Sequence, residues 1–212
     1  VEARPTADEA ERSASDRANA AGKGRWVRLI LETQEAGTVL GVLSDVTGDV
    51  EEKAKLERER NYDLLTNLYN SRAFREQLVV AMADGTIQTA AVAMWDLDNL
   101  KYIIDTYGHD EGDRYIVLFA NCLKRLEEEG AIVSRYSGDE FVTLIYGGGK
   151  EEIRRRVQSF MQILQSTSLE MKGGYQIPVR VFGGLAWYPD DAVDFDTLLN
   201  YADFAMYMVK HS

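Results

Sequence analysis

The chain has 212 residues, 45% of them apolar, and a formal net charge of −11. This size suits one ordinary domain plus a smaller piece, or one large domain. The acidic balance argues against a partner such as DNA or RNA, but it allows a small phosphorylated ligand that is held through a metal ion.

One cysteine, Cys122, excludes an internal disulfide and fits a reducing compartment. No apolar run approaches the roughly 20 residues that cross a bilayer, and no signal-peptide pattern is visible. The first residue is Val1 rather than Met, so we expect an excised fragment of a longer protein.

The first third of the chain is mostly polar. Residues 1–24 predict a loose helix or disorder. Two strand-like runs at 25–33 and 38–44 flank a Glu-Ala-Gly turn at 35–37, which predicts a β-hairpin. The charged stretch 49–61 then predicts an exposed linker helix without a convincing heptad.

From residue 62 onward, helical and strand periodicities alternate. Helices are predicted at 71–82, 111–128, 150–166 and 195–210, and strands at 90–97, 131–136, 141–146 and 175–186. A Ser-Gly-Asp-Glu turn joins the second and third strands as a hairpin. This order predicts a sheet backed by helices.

Two carboxylates, Asp96 and Asp98, lie at the end of the apolar strand 90–97. Alternation along a strand predicts that both leave the same face, and a divalent cation would relieve their repulsion. A solvated strand end is the alternative interpretation of the same pattern.

The hairpin tip adds Asp139 and Glu140 after Gly138, which permits a tight turn. Adjacent strand residues point to opposite faces, so we expect one of the two acids to share a site with Asp96. Two acidic strand ends that point the same way suit two-metal phosphoryl transfer. An acidic hairpin tip without a function is the alternative.

Four stretches, in this order, resemble the motifs of GGDEF domains. They are 63–72 (DLLTNLYNSR), 96–101 with 105–113 (DLDNLK and DTYGHDEGD), 137–141 (SGDEF) and 202–210 (ADFAMYMVK). The resemblance covers some 150 residues. In addition, Trp26-Val27 and Asp45-Val46-Thr47 resemble the last strands of a PAS sensor domain that lead into its signalling helix.

The resemblance implies an α/β (α+β) fold similar to the palm of class III nucleotide cyclases and polymerases. Its central, mostly antiparallel sheet would be flanked by helices, after an N-terminal β-hairpin and linker helix. The implied domains are 1–47 (polar segment and partial PAS-like strands), 48–62 (linker helix) and 63–212 (GGDEF domain, whose C-terminal end would lie beyond this chain). Such domains are bacterial diguanylate cyclases, which join two GTP into cyclic di-GMP across a homodimer and release pyrophosphate.

The resemblance also implies roles for individual residues. Two Mg²⁺ or Mn²⁺ ions per site would be held by Asp96, Asp139 and the backbone carbonyl of Leu97. Catalysis would involve Asp139, Glu140 and Asp96, with Asp139 as a candidate proton acceptor. Substrate contacts would come from the phosphate-binding residues Asn99, Leu100, Lys101 and Lys210 and from the guanine-reading positions Asp113 and Ile104.

Three departures from the family pattern stand out. Ile104 replaces an Asn that hydrogen-bonds guanine, a loss that should cost about 1–3 kcal/mol of GTP binding. Ser137 replaces the first signature glycine, which is a mild change if its φ is negative. Glu128 and Ala131 stand where the product-inhibition motif has Arg and Asp, so we expect no inhibitory site there.

Three functions therefore compete. The first is a diguanylate cyclase, which Ile104 would weaken, controlled by an N-terminal sensor. The second is a degenerate GGDEF domain that binds GTP or another nucleotide and regulates an attached domain such as a phosphodiesterase. The third is a cyclase with relaxed base choice that also accepts ATP. All three place the chain in the cytoplasm or in the cytoplasmic part of a membrane-anchored protein.

Overall fold

The computed structural model describes residues 24–33, 39–83, 85–171 and 173–211. The chain divides into two compact units, Val1–Arg58 and Glu59–Ser212. The prediction of a loose helix or disorder at 1–24 falls almost wholly outside the described residues, as does the hairpin turn at 35–37. No helix in the described part of the chain is both long and apolar enough to cross a membrane.

The first unit consists of a hairpin and most of a helix. Strands β1 (Val27–Thr33) and β2 (Val39–Asp45) pair antiparallel, with Val27 opposite Asp45. Helix α1 (Thr47–Asn61) follows, and none of its residues is buried. The Thr47 hydroxyl accepts a hydrogen bond from the Trp26 amide at 2.7 Å, and the Thr47 amide donates to Asp45 at 2.9 Å. These bonds fix the start of the helix against the open end of the hairpin.

The second unit is built on a five-stranded sheet in the order β3-β5-β6-β4-β9, antiparallel except for β3 and β5. The strands are β3 (Tyr69–Asn70), β4 (Ala90–Leu97), β5 (Ile132–Ser137), β6 (Glu140–Tyr146) and β9 (Val181–Tyr188), with a separate pair β7 (Ser168–Glu170) and β8 (Gln176–Pro178). The helices are α2 (Ser71–Ala83), α3 (Leu100–Tyr107), α4 (His109–Glu128), α5 (Lys150–Gln165) and α6 (Phe195–Lys210).

All eight residues of β4 are buried, because helices cover both faces of the sheet. On one face Trp95, Phe119 and Phe160 belong to a core that α3, α4 and α5 help to form. On the other face, Phe74 of α2 and Met206 of α6 pack in a second core. The predicted α/β class, with a mostly antiparallel sheet flanked by helices, is confirmed.

Close packing against β9 sets the position of α6. A Cβ placed on Gly184 would lie 2.1 Å from the Ala202 carbonyl oxygen and 2.3 Å from the Met206 amide nitrogen. Only glycine therefore lets the helix backbone come this near to the strand. The approach carries the last residue of α6, Lys210, to the end of β4.

Several elements differ from the sequence prediction. Helix α3 and strands β3 and β7 were not predicted. The run 175–186 was predicted as one strand, but it contains β8 and then β9, with a break at Val179 and Arg180. Short strands carry too few residues to show a period, and both sides of this break are apolar enough to be taken as continuous.

Candidate active site

The end of β4 and the tip of the β5–β6 hairpin are joined through the backbone. The Leu97 amide donates a hydrogen bond to the Asp139 carbonyl at 3.0 Å, and Asp96 pairs in register with Glu140. An open cavity of about 470 Å³ lies here. Its lining residues are Asp96, Leu97, Asp98, Asn99, Leu100, Lys101, Tyr102, Asp105, Asp139 and Lys210.

Asp96 and Lys210 form an ion pair at this cavity. The Lys210 ammonium donates to both carboxylate oxygens of Asp96, at 2.9 and 2.8 Å. This hydrogen bond to Asp96 raises the pKa of Lys210, although partial burial opposes the shift, and the negative charges of Asp139 and Glu140 add to it. The Lys210 ammonium therefore faces several acids.

The pKa of Glu140 reflects the excess of negative charge around this pair. Burial raises the pKa of its carboxyl, and repulsion from Asp139, Asp203 and Asp96 raises it further. Glu140 does not line the cavity, whereas Asp139 does. The two hairpin acids thus differ in their access to a ligand: Asp139 lies in the turn, and Glu140 is the first residue of β6.

The start of α3 forms one wall of the cavity. Asn99 precedes the helix with φ 65°, a left-handed conformation that Asn tolerates. The first amides of an α-helix, here those of Leu100 and Lys101, have no partner within the helix and suit a phosphate oxygen. The Asn99 amide is less suited, because it already donates to Asp98 at 2.8 Å.

Asp98 lines the same cavity as Asp96 and also forms the turn into α3. It follows the last residue of β4, and its carboxylate accepts hydrogen bonds from both the backbone and the side-chain amide of Asn99. Asp98 therefore shapes the start of α3, while Asp96 holds Lys210.

The positions expected to read a base lie outside the residues that line the cavity. Ile104 is half-buried, packs against the core, and would be 2.5 Å from a Cβ placed on Gly112. Asp113 is exposed one residue further along α4. An apolar side chain on one side and a carboxylate on the other leave this region with fewer hydrogen-bonding groups than the family pattern has.

Arg135 holds the tip of the β5–β6 hairpin through hydrogen bonds to its backbone. Arg135 donates two hydrogen bonds to the Gly138 carbonyl, at 2.9 and 2.7 Å, and it pairs with Asp63 at 3.2 Å. Burial opposes the shift, but hydrogen bonds from Thr66 and the charge of Arg135 hold the pKa of the Asp63 carboxyl below its ordinary value. These contacts, which we call the brace, join the segment 63–72 to the signature loop 137–141.

Ser137 is compatible with the loop. Among the described residues, positive φ at positions other than glycine is confined to Asn67 and Asn99, so Ser137 has an ordinary backbone conformation. Gly138, with φ 34°, occupies the position that favours glycine. The substitution of the first signature glycine is therefore mild.

The structure brings seven of the ten predicted site residues to the cavity and leaves three outside its lining. Those at the cavity are Asp96, Leu97, Asn99, Leu100, Lys101, Asp139 and Lys210, and those outside are Glu140, Ile104 and Asp113. Sequence reasoning missed Tyr102 and Asp105 in the lining and Arg135 in the brace. Arg135 lies three positions before Gly138 in the predicted hairpin, so its closeness to the turn could have been inferred from the sequence.

The two positions where the family's inhibitory motif has Arg and Asp differ in their exposure. Glu128 is exposed and pairs with Arg125 at 3.3 Å. Ala131 is buried in the core.

Comparison with known proteins agrees with this geometry. A sequence model of the family described as "Diguanylate cyclase, GGDEF domain" matches residues 60–212. The chain is 33% identical over 162 residues to the diguanylate cyclase DgcN of Escherichia coli K12, covering 74% of this chain and 39% of DgcN. It is 29% identical over 160 residues to the cyclic di-GMP phosphodiesterase NbdA of Pseudomonas aeruginosa, covering 74% of this chain and 20% of NbdA.

A solved structure is also similar. It is the coiled coil and GGDEF domain of DgcB from Caulobacter crescentus in complex with c-di-GMP, with a TM-score of 0.68 and 26% identity over 78% of this chain and 88% of that one. The present chain spans less than half the length of the two curated relatives. The family match covers the sheet, its helices and the cavity, and the chain belongs to the GGDEF domain family.

Proposed function

We propose that this chain carries the catalytic domain of a diguanylate cyclase, which condenses two GTP into cyclic di-GMP across a homodimer. The observation that carries the proposal is the cavity where Asp96, Asp139 and Lys210 meet beside the start of α3. Its acids suit metal-bound phosphates, and its lysine and helix amides suit the phosphates themselves.

The donor set fits Mg²⁺ or Mn²⁺. Among the described residues, no three side chains of His, Cys, Asp or Glu are grouped as a metal cluster. Mg²⁺ at nucleotide sites is commonly held by one or two carboxylates together with substrate phosphates, so Asp96, Asp139 and the Leu97 carbonyl are the proposed ligands. When bound, two such ions would neutralise the triphosphate and lower the pKa of the attacking hydroxyl.

The protein's own groups then orient the reaction. The 3′-hydroxyl oxygen of one GTP bonds to the α-phosphorus of the other, and the bond to the β-phosphate oxygen breaks, which releases pyrophosphate. Asp139 is the proposed acceptor of the hydroxyl proton, with Glu140 beside it. Lys101, Lys210 and the amides at the start of α3 hold the phosphates. A second reaction of the same kind closes the ring.

Base recognition is the weak point of the proposed site. Asp113 would bind guanine, whereas Ile104 packs on the core and offers no hydrogen bond. This observation favours a second candidate function, in which the domain binds GTP or another nucleotide without turnover and regulates an attached sensor or phosphodiesterase domain. The match to NbdA, which is named a phosphodiesterase, is compatible with such an architecture. A cyclase that also accepts ATP is the third candidate.

Cellular placement follows from the substrate. We propose a cytoplasmic site of action, where nucleotide triphosphates are available and a free cysteine such as Cys122 stays reduced.

One assay separates the three candidates. The domain is incubated with GTP, ATP or both, with Mg²⁺ or Mn²⁺, over a series of protein concentrations that allows for dimerisation, and the products are resolved by chromatography. Cyclic di-GMP supports the cyclase, and products that contain adenine support relaxed base choice. GTP binding without any cyclic dinucleotide at the highest concentration would overturn both and leave the regulatory domain.

A further inference from the structure

Lys210 covers the carboxylate that the proposed function assigns to a metal ion. Its ammonium is 2.9 and 2.8 Å from the two oxygens of Asp96. The Asp96 side chain is only 7% exposed, so water does little to stabilise its charge. In the domain without nucleotide, Lys210 is therefore the group that balances Asp96.

Lys210 is also free to leave. It is the last residue of α6, and its side chain is 40% exposed, so its flexible stem can turn without disturbing the core. The start of α3, where phosphate oxygens are expected, lines the same cavity. A bound triphosphate would thus offer the ammonium an alternative anionic partner within reach.

We propose that Lys210 is the counter-cation of Asp96 in the nucleotide-free domain and moves to the triphosphate when a divalent cation takes Asp96. Metal and nucleotide binding are then coupled through one side chain. Without nucleotide, the metal ion must displace the ammonium from Asp96, and no phosphate is present to receive it. With nucleotide, the displaced ammonium gains phosphate contacts, so the metal binds more tightly. This inference rests on the proposed function in taking Asp96 as a metal ligand and the start of α3 as the place of the triphosphate.

Nucleotide-free binding of Mn²⁺, followed by electron paramagnetic resonance, tests the first half. We expect Lys210→Met to tighten the Mn²⁺ affinity roughly 5- to 150-fold, the usual range for two coupled sites. Lys101→Met is the matched control, since Lys101 lines the same cavity but makes no hydrogen bond or ion pair with another described residue. It removes the same charge, and we expect less than about a threefold change. Lys210→Gln repeats the test should the methionine variant fold poorly.

The location of the effect is tested by a double variant. Asp96→Asn combined with Lys210→Met should lose the tightened binding, because the carboxylate that Lys210 covers is gone. Retention of tight binding in the double variant would overturn the inference. So would an affinity in Lys210→Met no greater than in Lys101→Met, or the absence of Mn²⁺ binding in both.

A non-hydrolysable GTP analogue tests the second half. Once the analogue is bound, Lys210 has left Asp96, so Lys210→Met should no longer bind Mn²⁺ more tightly than the wild type. The same tightening with and without the analogue would contradict the movement of Lys210. None of these measurements requires turnover, so failure to form cyclic di-GMP would overturn the proposed function and leave this inference standing.

Discussion

Two ion pairs at the hairpin tip differ in how well positive and negative charges are balanced around them. Arg135 and Asp63 meet below the hairpin tip, and Lys210 and Asp96 meet beside it. In the first pair the guanidinium also satisfies the Gly138 carbonyl, and the carboxylate also accepts from Thr66. In the second pair one ammonium faces more than one carboxylate.

The difference separates a structural role from a chemical one. The Arg135–Asp63 pair shares its charges with neighbouring hydrogen-bond partners, and it fixes the loop on which Asp139 stands. A pair inside an excess of acid remains a site of attraction for a cation or a metal-bound phosphate. The balanced pair therefore shapes the site, and the unbalanced pair is where we place the reaction.

The largest expected effect comes from removing a cavity acid. Asp139→Asn should lower the rate of pyrophosphate release from GTP by at least about 100-fold, because a proposed metal ligand and proton acceptor is lost. Its free energy of unfolding should stay equal or rise slightly, since one of several repelling acids is neutralised. Activity within tenfold of the wild type would remove Asp139 from the reaction.

The next test adds a hydrogen-bonding group at position 104 and asks whether the site binds guanine. Ile104→Asn should tighten GTP binding roughly 10- to 100-fold, the range for one hydrogen bond in a site built to make it. Isothermal titration with GTP and with ATP measures it. The gain should be absent for ATP, and an equal gain for both nucleotides would contradict the assignment of this position to guanine.

Breaking the balanced pair should cost stability. Asp63→Asn removes the charge that faces Arg135, and we expect the free energy of unfolding to fall by about 1–3 kcal/mol in urea titrations. The control is Glu128→Gln, which breaks an exposed pair with Arg125 and should change it by less than about 0.5 kcal/mol. An equal effect of the two variants would show that the brace adds nothing beyond a surface pair.

The lowered pKa of Asp63 determines how the stabilisation by the brace depends on pH. The pKa of Asp63 is lowered in the fold, so its stabilisation is present above the ordinary carboxyl pKa and is lost as pH falls through the lowered value. The difference in stability between the wild type and Asp63→Asn should therefore shrink in acid. A difference that grows below pH 4 would contradict the charge of Asp63 as its cause.

Local patterns carried the prediction of most of the sheet and of the helices other than α3, but not of either ion pair. The apolar run of β4 and the turn at Gly138 can each be predicted from a few neighbouring residues, because strand burial and hairpin geometry are local. The partners in the two pairs are 72 and 114 positions apart, and their meeting depends on how whole elements pack.

The strand end shows what a local rule leaves out. Alternation predicted a shared face for Asp96 and Asp98, and both line the cavity, but it did not predict that Asp98 also bonds to Asn99 at the start of α3. The family resemblance supplied the role of Lys210, yet only the packing of α6 at Gly184 brings its ammonium to Asp96. Sequence thus identifies the chemical groups, and the packing of whole elements decides which of them meet.

The smallest expected effect measures the imbalance itself. The pKa of Glu140 is raised in the fold, by burial and then by repulsion from Asp139, Asp203 and Asp96. Between the ordinary and the raised value the folded state holds a proton that the unfolded state has lost. Stability therefore falls as pH rises through this window, and above it the ionised Glu140 destabilises the fold.

Glu140→Gln should accordingly raise the free energy of unfolding at pH 7, by less than about 1 kcal/mol because partial exposure screens the repulsion. Glu170→Gln, an exposed acid on β7, removes the same net charge and should give no such gain. Saturating Mn²⁺ should abolish the gain, since a cation at Asp96 and Asp139 attracts Glu140 and offsets the repulsion that the variant relieves. If the gain persists with Mn²⁺, the metal is bound elsewhere, and the unbalanced pair is not the reason that this end of the sheet takes a cation.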